Sequence, residues 1–256
     1  MSIDEKLTFL DLEDIREDFL KKNNIKEFLN TYKYKVINPN VSKTWNDKFK
    51  KVEKLKDQDG MTKDKINYIS SYIKPFNQPI ELLDIGIGQG YLEQAMQKYN
   101  IKLNLSAVDI SDISIKRAIK LYKANAYKTD AVAVSKVFEP KSFDVICAIE
   151  LIEHIPSNQI FNFYKSVRSL LKKDGIFIIS TPLNEGLRYK KENPSCHVRE
   201  YTEKILRAEF KLANFKIIHI KTHVAFGKNY IVKKLLSKFI PNRWEPNNII
   251  IIAKKK

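Results

Sequence analysis

Cysteine is scarce in this chain, with two among 256 residues, and the two sit in unlike settings: Cys147 inside an apolar run, Cys196 in a polar loop. That count and placement give no disulfide framework and fit a reducing compartment. Long apolar runs are missing as well. None reaches the ~18–20 residues of a membrane span. The opening MSIDEKLTFLDLEDIRED carries acids where a secretory signal needs a basic start and an apolar run. The expectation is a cytoplasmic protein with no integral membrane association. Arginine is sparse although the formal charge is +16, and lysine lacks the planar fork that grips phosphates and bases. A composition rich in Lys, Ile and Asn therefore accounts for the charge more simply than a dedicated polyanion site. Internal repeats and low-complexity tracts are absent. Glycine is rare too, seven in all, so its concentration in one place is a signal.

What is present is an ordinary globular balance, 43% apolar and 30% charged, enough for a sizeable core. Residues 1–60 hold short amphipathic pieces such as LEDIREDFLKKNNIKEFLNTYK, acidic first and basic later, the order that suits a helix dipole. They read as a helical N-terminal cap. TKDKINYISSYIKPF follows, with Ile66, Ile69 and Ile73 at helical spacing and Pro75 closing the helix. From Glu81 the pattern alternates: ELLDIG then YLEQAMQKY, LNLSAVDI then SIKRAIKLY, FDVICAIE then NQIFNFYKSVRSLL, GIFIIST then TEKILRAEFKLA. Apolar strands joined through helices predict a doubly wound, mostly parallel α/β sheet over residues 61–256, Rossmann-like, with FKIIHIKTHVAF and NNIIIIAKK as an antiparallel pair at its edge. Between those two, YIVKKLLSKFI has one apolar face and one lysine face. Packing on the sheet is the expectation, and contact with an anionic membrane is the alternative.

Three of the glycines fall in Gly86-Ile87-Gly88-Gln89-Gly90, directly after the strand ELLDIG and before a helix, where an open α/β sheet places a nucleotide-like ligand. The dinucleotide fingerprint G-x-G-x-x-G fails, because its third glycine position is Tyr91. Asp84, two residues ahead, sits poorly beside a pyrophosphate and well beside a cationic ligand. Acid followed by G-x-G-x-G resembles the first motif of the class I S-adenosyl-L-methionine-dependent methyltransferases, and the likeness runs roughly from Ile66 to Lys255 through several ordered motifs. The resemblance implies a class I methyltransferase domain over residues 61–256. It places Asp84, Gly86, Gly88 and Gly90 on the cofactor, Asp109 on the ribose hydroxyls and Asp130 at the adenine edge. Capping or turn roles are the alternatives for the two later aspartates.

The strand FDVICAIE runs into Glu150-Leu151-Ile152-Glu153-His154 at the carboxyl edge of the sheet, where the methyl acceptor belongs. This E-x-x-E-H spacing resembles small-RNA 3′-terminal 2′-O-methyltransferases and quinone-biosynthesis O-methyltransferases. That likeness implies a divalent cation held by Glu150, Glu153, His154 and the downstream His197; mixed oxygen and imidazole ligands suit Mg²⁺ or Mn²⁺, with Zn²⁺ or Fe²⁺ as the alternative. The same residues also read as a scaffold with His154 as general base. Cys196 reads as a bystander thiol, and His219 and His223 as ordinary strand histidines. Arg188, Lys190, Lys191 and Arg199, in the long polar segment after STPLNEG, either bind a phosphate on the acceptor or stay solvated. The reaction expected is O-methylation of a small molecule or sugar, such as a phosphorylated or surface-polysaccharide precursor. RNA 3′-terminal methylation is the main rival, weakened by the lack of an added RNA-binding domain. A non-catalytic cofactor-binding module is the third reading.

Overall fold

The computed structural model describes residues 9–50, 60–186, 193–224, 229–240 and 244–256. Strands β1 (Ile80–Ile85), β2 (Leu103–Asp109), β3 (Asn125–Lys128), β4 (Phe143–Ile149), β5 (Leu171–Pro182), β6 (Phe215–His223) and β7 (Asn248–Lys255) form one sheet. Their order is β3-β2-β1-β4-β5-β7-β6. The pairs from β3 through β5 are parallel, and β7 runs antiparallel to both β5 and β6. The late antiparallel pair thus stands at the sheet edge as the sequence predicts, with β7 inserted between β5 and β6.

The helices are α1 (Phe9–Lys21), α2 (Ile25–Asn30), α3 (Ser42–Lys50), α4 (Gly60–Ile73), α5 (Tyr91–Lys98), α6 (Asp112–Tyr122), α7 (Ile160–Leu170), α8 (Glu203–Leu212) and α9 (Tyr230–Phe239). Alternation along the strands divides the core between two faces. Leu83, Ile146, Phe177 and Ile251 meet Phe163 and Val167 of α7 and Phe210 of α8. Their neighbours Leu82, Val145, Ile178 and Ile250 meet Ile69 and Ile73 of α4 and Met96 of α5. Both faces being covered explains why Ile249–Ile252 are all buried and why that strand reads as an unbroken apolar run. Each such side chain contributes ~1.5–3 kcal/mol by leaving water.

Strand order reverses between β1 and β4, so the crevice at their carboxyl ends is the switch point where such sheets bind ligands. Gly86–Gly90 leaves β1 there and Glu150–His154 leaves β4. The segment from Asn38 through α3 covers this crevice. Asn46 Oδ1 accepts from Ser111 Oγ at 2.7 Å, and Asn40 Nδ2 donates to the carbonyls of His154 and Cys196 at 3.2 and 2.9 Å.

One expectation fails. The apolar face of Tyr230–Ile240 does not pack on the sheet: Ile231, Val232, Leu235, Leu236 and Phe239 are exposed, and α9 meets the body through Tyr230 and Lys234, which both reach Asp64.

Candidate active site

The crevice opens into a cavity of about 390 Å³. One side is built by Asp84, Gly86, Gly88, Asp109 and Asp130. Gly86, Gly88 and Gly90 all hold positive φ, between 53° and 78°, the left-handed region where a Cβ is costly. At Gly90 a Cβ would in addition run into the Tyr122 ring. The turn these glycines permit brings the Gly88 amide to Asp109, donating to Oδ2 at 2.9 Å, while the Ser111 amide donates to Oδ1 at 2.8 Å. Burial nonetheless raises Asp109 above the ordinary carboxylate range.

Asp84 is buried with Oδ1 unpartnered, and both carboxylate oxygens of the buried Glu93 lack a donor. Burial first, and then their mutual repulsion, pushes Asp84 well up, and burial pushes Glu93 to about 7. A proton shared between them would bridge at most two of these three oxygens. Asp130 lines the cavity while capping the short helical turn Ala131–Lys136, accepting from the Val132 amide at 2.8 Å. The cap role and the cavity position therefore coexist.

His154 lines the other side, and Glu153, His154 and His197 bring one ligand-type atom each to within 4.8 Å of one another. Glu150 does not join them. Its φ is +51°, and its carboxylate accepts from Lys65 Nζ at 2.8 Å, Ser180 Oγ at 2.7 Å and Asn248 Nδ2 at 3.1 Å. Burial alone would raise its pKa, but Lys65 and these hydrogen bonds prevail and hold it below the usual range. Glu153 behaves in the opposite way. Oε2 accepts from Thr181 Oγ1 at 2.9 Å, Oε1 is buried with no partner, and burial plus the Glu150 charge raise its pKa strongly.

The two imidazoles are oriented by their surroundings. His154 Nδ1 lies 3.2 Å from the Cys196 carbonyl, and His197 Nδ1 lies 2.6 Å from Glu185 Oε2. An acceptor at Nδ1 fixes the proton there and leaves Nε2 as the basic atom. Burial, aided by His197, lowers His154 to about 4, so it is neutral at physiological pH. The Trp45 ring from α3 stands edge-on to His154 at 4.9 Å.

A second anchor holds the His197 loop. The amides of Val198 and Arg199 both donate to the Glu153 carbonyl, at 2.9 and 3.2 Å. The Arg199 side chain is fully buried and ion-paired with Glu209 of α8. Tyr32 and Tyr164 donate to the same carboxylate at 2.5 and 2.9 Å, and Arg16 of α1 approaches it at 3.6 Å. Arg199 is therefore neither solvated nor a phosphate ligand, and the reading that grouped it with acceptor-binding cations is corrected. Arg188, Lys190 and Lys191 of that group lie outside the described residues. His219 rests against the Tyr72 ring. His223 is lowered to about 4 by burial and by Lys65. Cys196 contributes its carbonyl to the site. Sequence reasoning missed Glu93, Glu185, Lys65 and Thr181. Only Glu185 carried a signal, as an acid in the long polar loop before His197.

Residues 55–220 match a family model described as a methyltransferase domain. A protein of Pelagibacter ubique named ubiquinone biosynthesis O-methyltransferase is 39% identical over 126 residues, 47% of this chain and 48% of that protein. One of the same name from Actinobacillus pleuropneumoniae is 30% identical over 116 residues, 42% and 47% of the two. The chain thus matches these relatives over about half of their length. Among solved structures, a SAM dependent methyltransferase from Archaeoglobus fulgidus superposes with a TM-score of 0.57 at 21% identity, covering 76% of this chain and 94% of that one. A Haemonchus contortus phosphoethanolamine N-methyltransferase in complex with S-adenosyl-L-methionine gives 0.57 at 18%, covering 75% and 52%. These two share the fold.

Proposed function

The chain belongs to the methyltransferase domain family; from that premise we propose that it is an S-adenosyl-L-methionine-dependent methyltransferase that methylates a hydroxyl oxygen of a small, largely apolar acceptor, with a divalent cation at Glu153, His154 and His197. The observation that carries this reading is the convergence of those three side chains, with His154 among them lining the cavity that the glycine turn also lines.

The residues on both sides fit what they would hold. The cofactor, when bound, supplies a methyl group made electrophilic by a sulfonium. The unpartnered buried oxygen of Asp84 suits a cationic end, and the Asp109 carboxylate retains lone pairs for hydroxyl donors. Glycine backbone gives close approach. At the metal side the orphaned Glu153 oxygen and two Nε2 atoms form a mixed oxygen and imidazole set. With Glu150 committed to Lys65, that set favours Mn²⁺ over Mg²⁺, which prefers oxygen ligands. A cation there would lower the pKa of an acceptor hydroxyl. Thr181 and Glu185 hold Glu153 and His197 in place, the edge of Trp45 fixes the His154 ring, and α3 screens the site from water. Leu151, Ile155, Trp45 and Phe49 give the cavity apolar walls. Those walls and the names of the two relatives favour an apolar hydroxylated acceptor over a sugar phosphate, for which the described residues of the cavity offer no arginine.

The test is transfer of labelled methyl to catechols and hydroquinones, to sugars and to RNA, with and without a chelator. Label on the phenolic acceptors, lost with the chelator and restored by Mn²⁺, supports the proposal. Nuclease-sensitive label in RNA or label on sugars overturns the acceptor, and chelator-indifferent transfer leaves His154 Nε2 as a simple base.

A further inference from the structure

Helix α9 is turned the wrong way for a helix that packs on its own protein. Ile231, Val232, Leu235, Leu236 and Phe239 are 69, 58, 52, 44 and 81% exposed, and Ile240 beyond the helix is 43% exposed. They follow one another at alternating steps of one and three residues, so that Ile231, Leu235 and Phe239 recur every fourth residue and the set makes a single outward stripe. The side toward the body is the polar one: Tyr230 Oη donates to Asp64 Oδ2 at 2.5 Å, Lys234 Nζ pairs with the same carboxylate, and Lys233 and Ser237 are half-buried. An amphipathic helix that uses its polar side to reach the body keeps its apolar side for something else.

We propose that α9 docks this enzyme on an anionic lipid surface. Charge decides among the candidate occupants. Tyr230–Ile240 carries Lys233, Lys234 and Lys238 and no acid, within a chain of formal charge +16. A second copy laid on the stripe would set lysines against lysines between two strongly cationic molecules, whereas anionic headgroups complement them while the acyl region takes the Leu, Ile and Phe side chains. The stripe is far too short to span, since no described helix is long and apolar enough to cross a membrane; it lies in the interface. Its place in the fold gives docking a consequence. The Tyr230 ring lies against Gly60, where an added Cβ would come within 2.6 Å of Cδ1. Gly60 opens α4, whose next residues, Met61 and Thr62, line the cavity. Docking through α9 therefore brings the α4 rim of the cavity to the bilayer, whatever the acceptor.

Co-sedimentation of the full chain with vesicles tests this, comparing mixed phosphatidylglycerol and phosphatidylcholine with phosphatidylcholine alone. The expected result is association with the anionic vesicles, at least tenfold weaker on the neutral ones and reduced by salt. The pair Leu235→Asp and Phe239→Asp should weaken it at least tenfold again, with affinity for S-adenosylhomocysteine unchanged. Ile231→Ser with Phe239→Ser serves as a milder pair should the aspartates impair folding. Failure of the wild-type chain to sediment with anionic vesicles overturns the proposal. So does equal sedimentation of both folded variants, or a concentration-dependent dimer that the substitutions dissolve with no vesicle binding in the parent. Cofactor affinity and methyl transfer in free solution read the other proposal separately.

Discussion

His197 and Glu185, twelve residues apart in sequence, are joined by a 2.6 Å contact between Nδ1 and Oε2. The carboxylate fixes the imidazole proton on Nδ1 and leaves Nε2 as the basic atom. Glu185→Gln keeps the size and loses the charge that favours this tautomer. A fall in methyl transfer of about 10–100-fold is expected, the usual cost of removing the group that orients a ligating histidine. Affinity for S-adenosylhomocysteine, measured by calorimetry, should stay as it was. An unchanged rate would remove His197 from the site.

Gly90 and Gly88 separate two costs that the same substitution to alanine incurs. Both have positive φ, which costs a residue with a Cβ about 1–2 kcal/mol. At Gly88 the added atom would meet Phe49 at an ordinary 3.5 Å, whereas at Gly90 it would strike the Tyr122 ring. Gly90→Ala should therefore be the more destabilising of the two in urea denaturation, by an amount that reflects displacement of Tyr122. Equal losses would mean that the ring moves aside freely.

What the sequence reveals and what it conceals divide along the range of the interactions. Buried parallel strands read as apolar runs, so β1 and β7 are legible, and the Asp84 to Gly90 motif is local enough to be read with its turn. Partners distant in sequence are not. Lys65 and Glu150 meet across 85 residues, and nothing in the E-x-x-E-H spacing shows that Glu150, in a left-handed conformation, sends its carboxylate to Lys65 instead of joining Glu153. Arg199 looks like any cation in a polar loop until α8 supplies Glu209. The stripe on α9 is plain in the sequence, but amphipathicity does not say which side faces the protein.

Glu209 receives Arg199, Tyr32 and Tyr164 in a site closed to water. Removing the carboxylate as Glu209→Gln leaves the buried Arg199 guanidinium without its counter-charge, while Arg16 keeps Glu13, and a loss of ~3–5 kcal/mol is expected. Because Arg199 also ends the backbone clamp on the Glu153 carbonyl, methyl transfer should fall under conditions where the variant is still folded. Urea denaturation, with activity measured well below the midpoint, checks both. A loss under ~1 kcal/mol would show that the arginines find other partners or water.

Asp84 and Glu93 make the protein sensitive to pH at the cofactor pocket. Burial raises Glu93 from the usual 4.5 to about 7 and raises Asp84 as well, with Glu93 and Asp109 adding repulsion. For an acid whose folded pKa lies above its unfolded one, the proton favours the folded state. That stabilisation is full below pH ~4.5 and is lost as pH rises through about 7. Glu93→Gln should flatten this slope. A bound ammonium favours ionised Asp84, so S-adenosylhomocysteine should release protons on binding and bind more tightly as pH rises from 6 to 8. Calorimetry in buffers of different ionisation enthalpy counts those protons. In Glu93→Gln the like-charged neighbour is gone, Asp84 ionises at lower pH, and the rise in affinity should move downward. Proton-neutral binding at pH 6 in the parent chain would place the cationic end of the ligand away from Asp84.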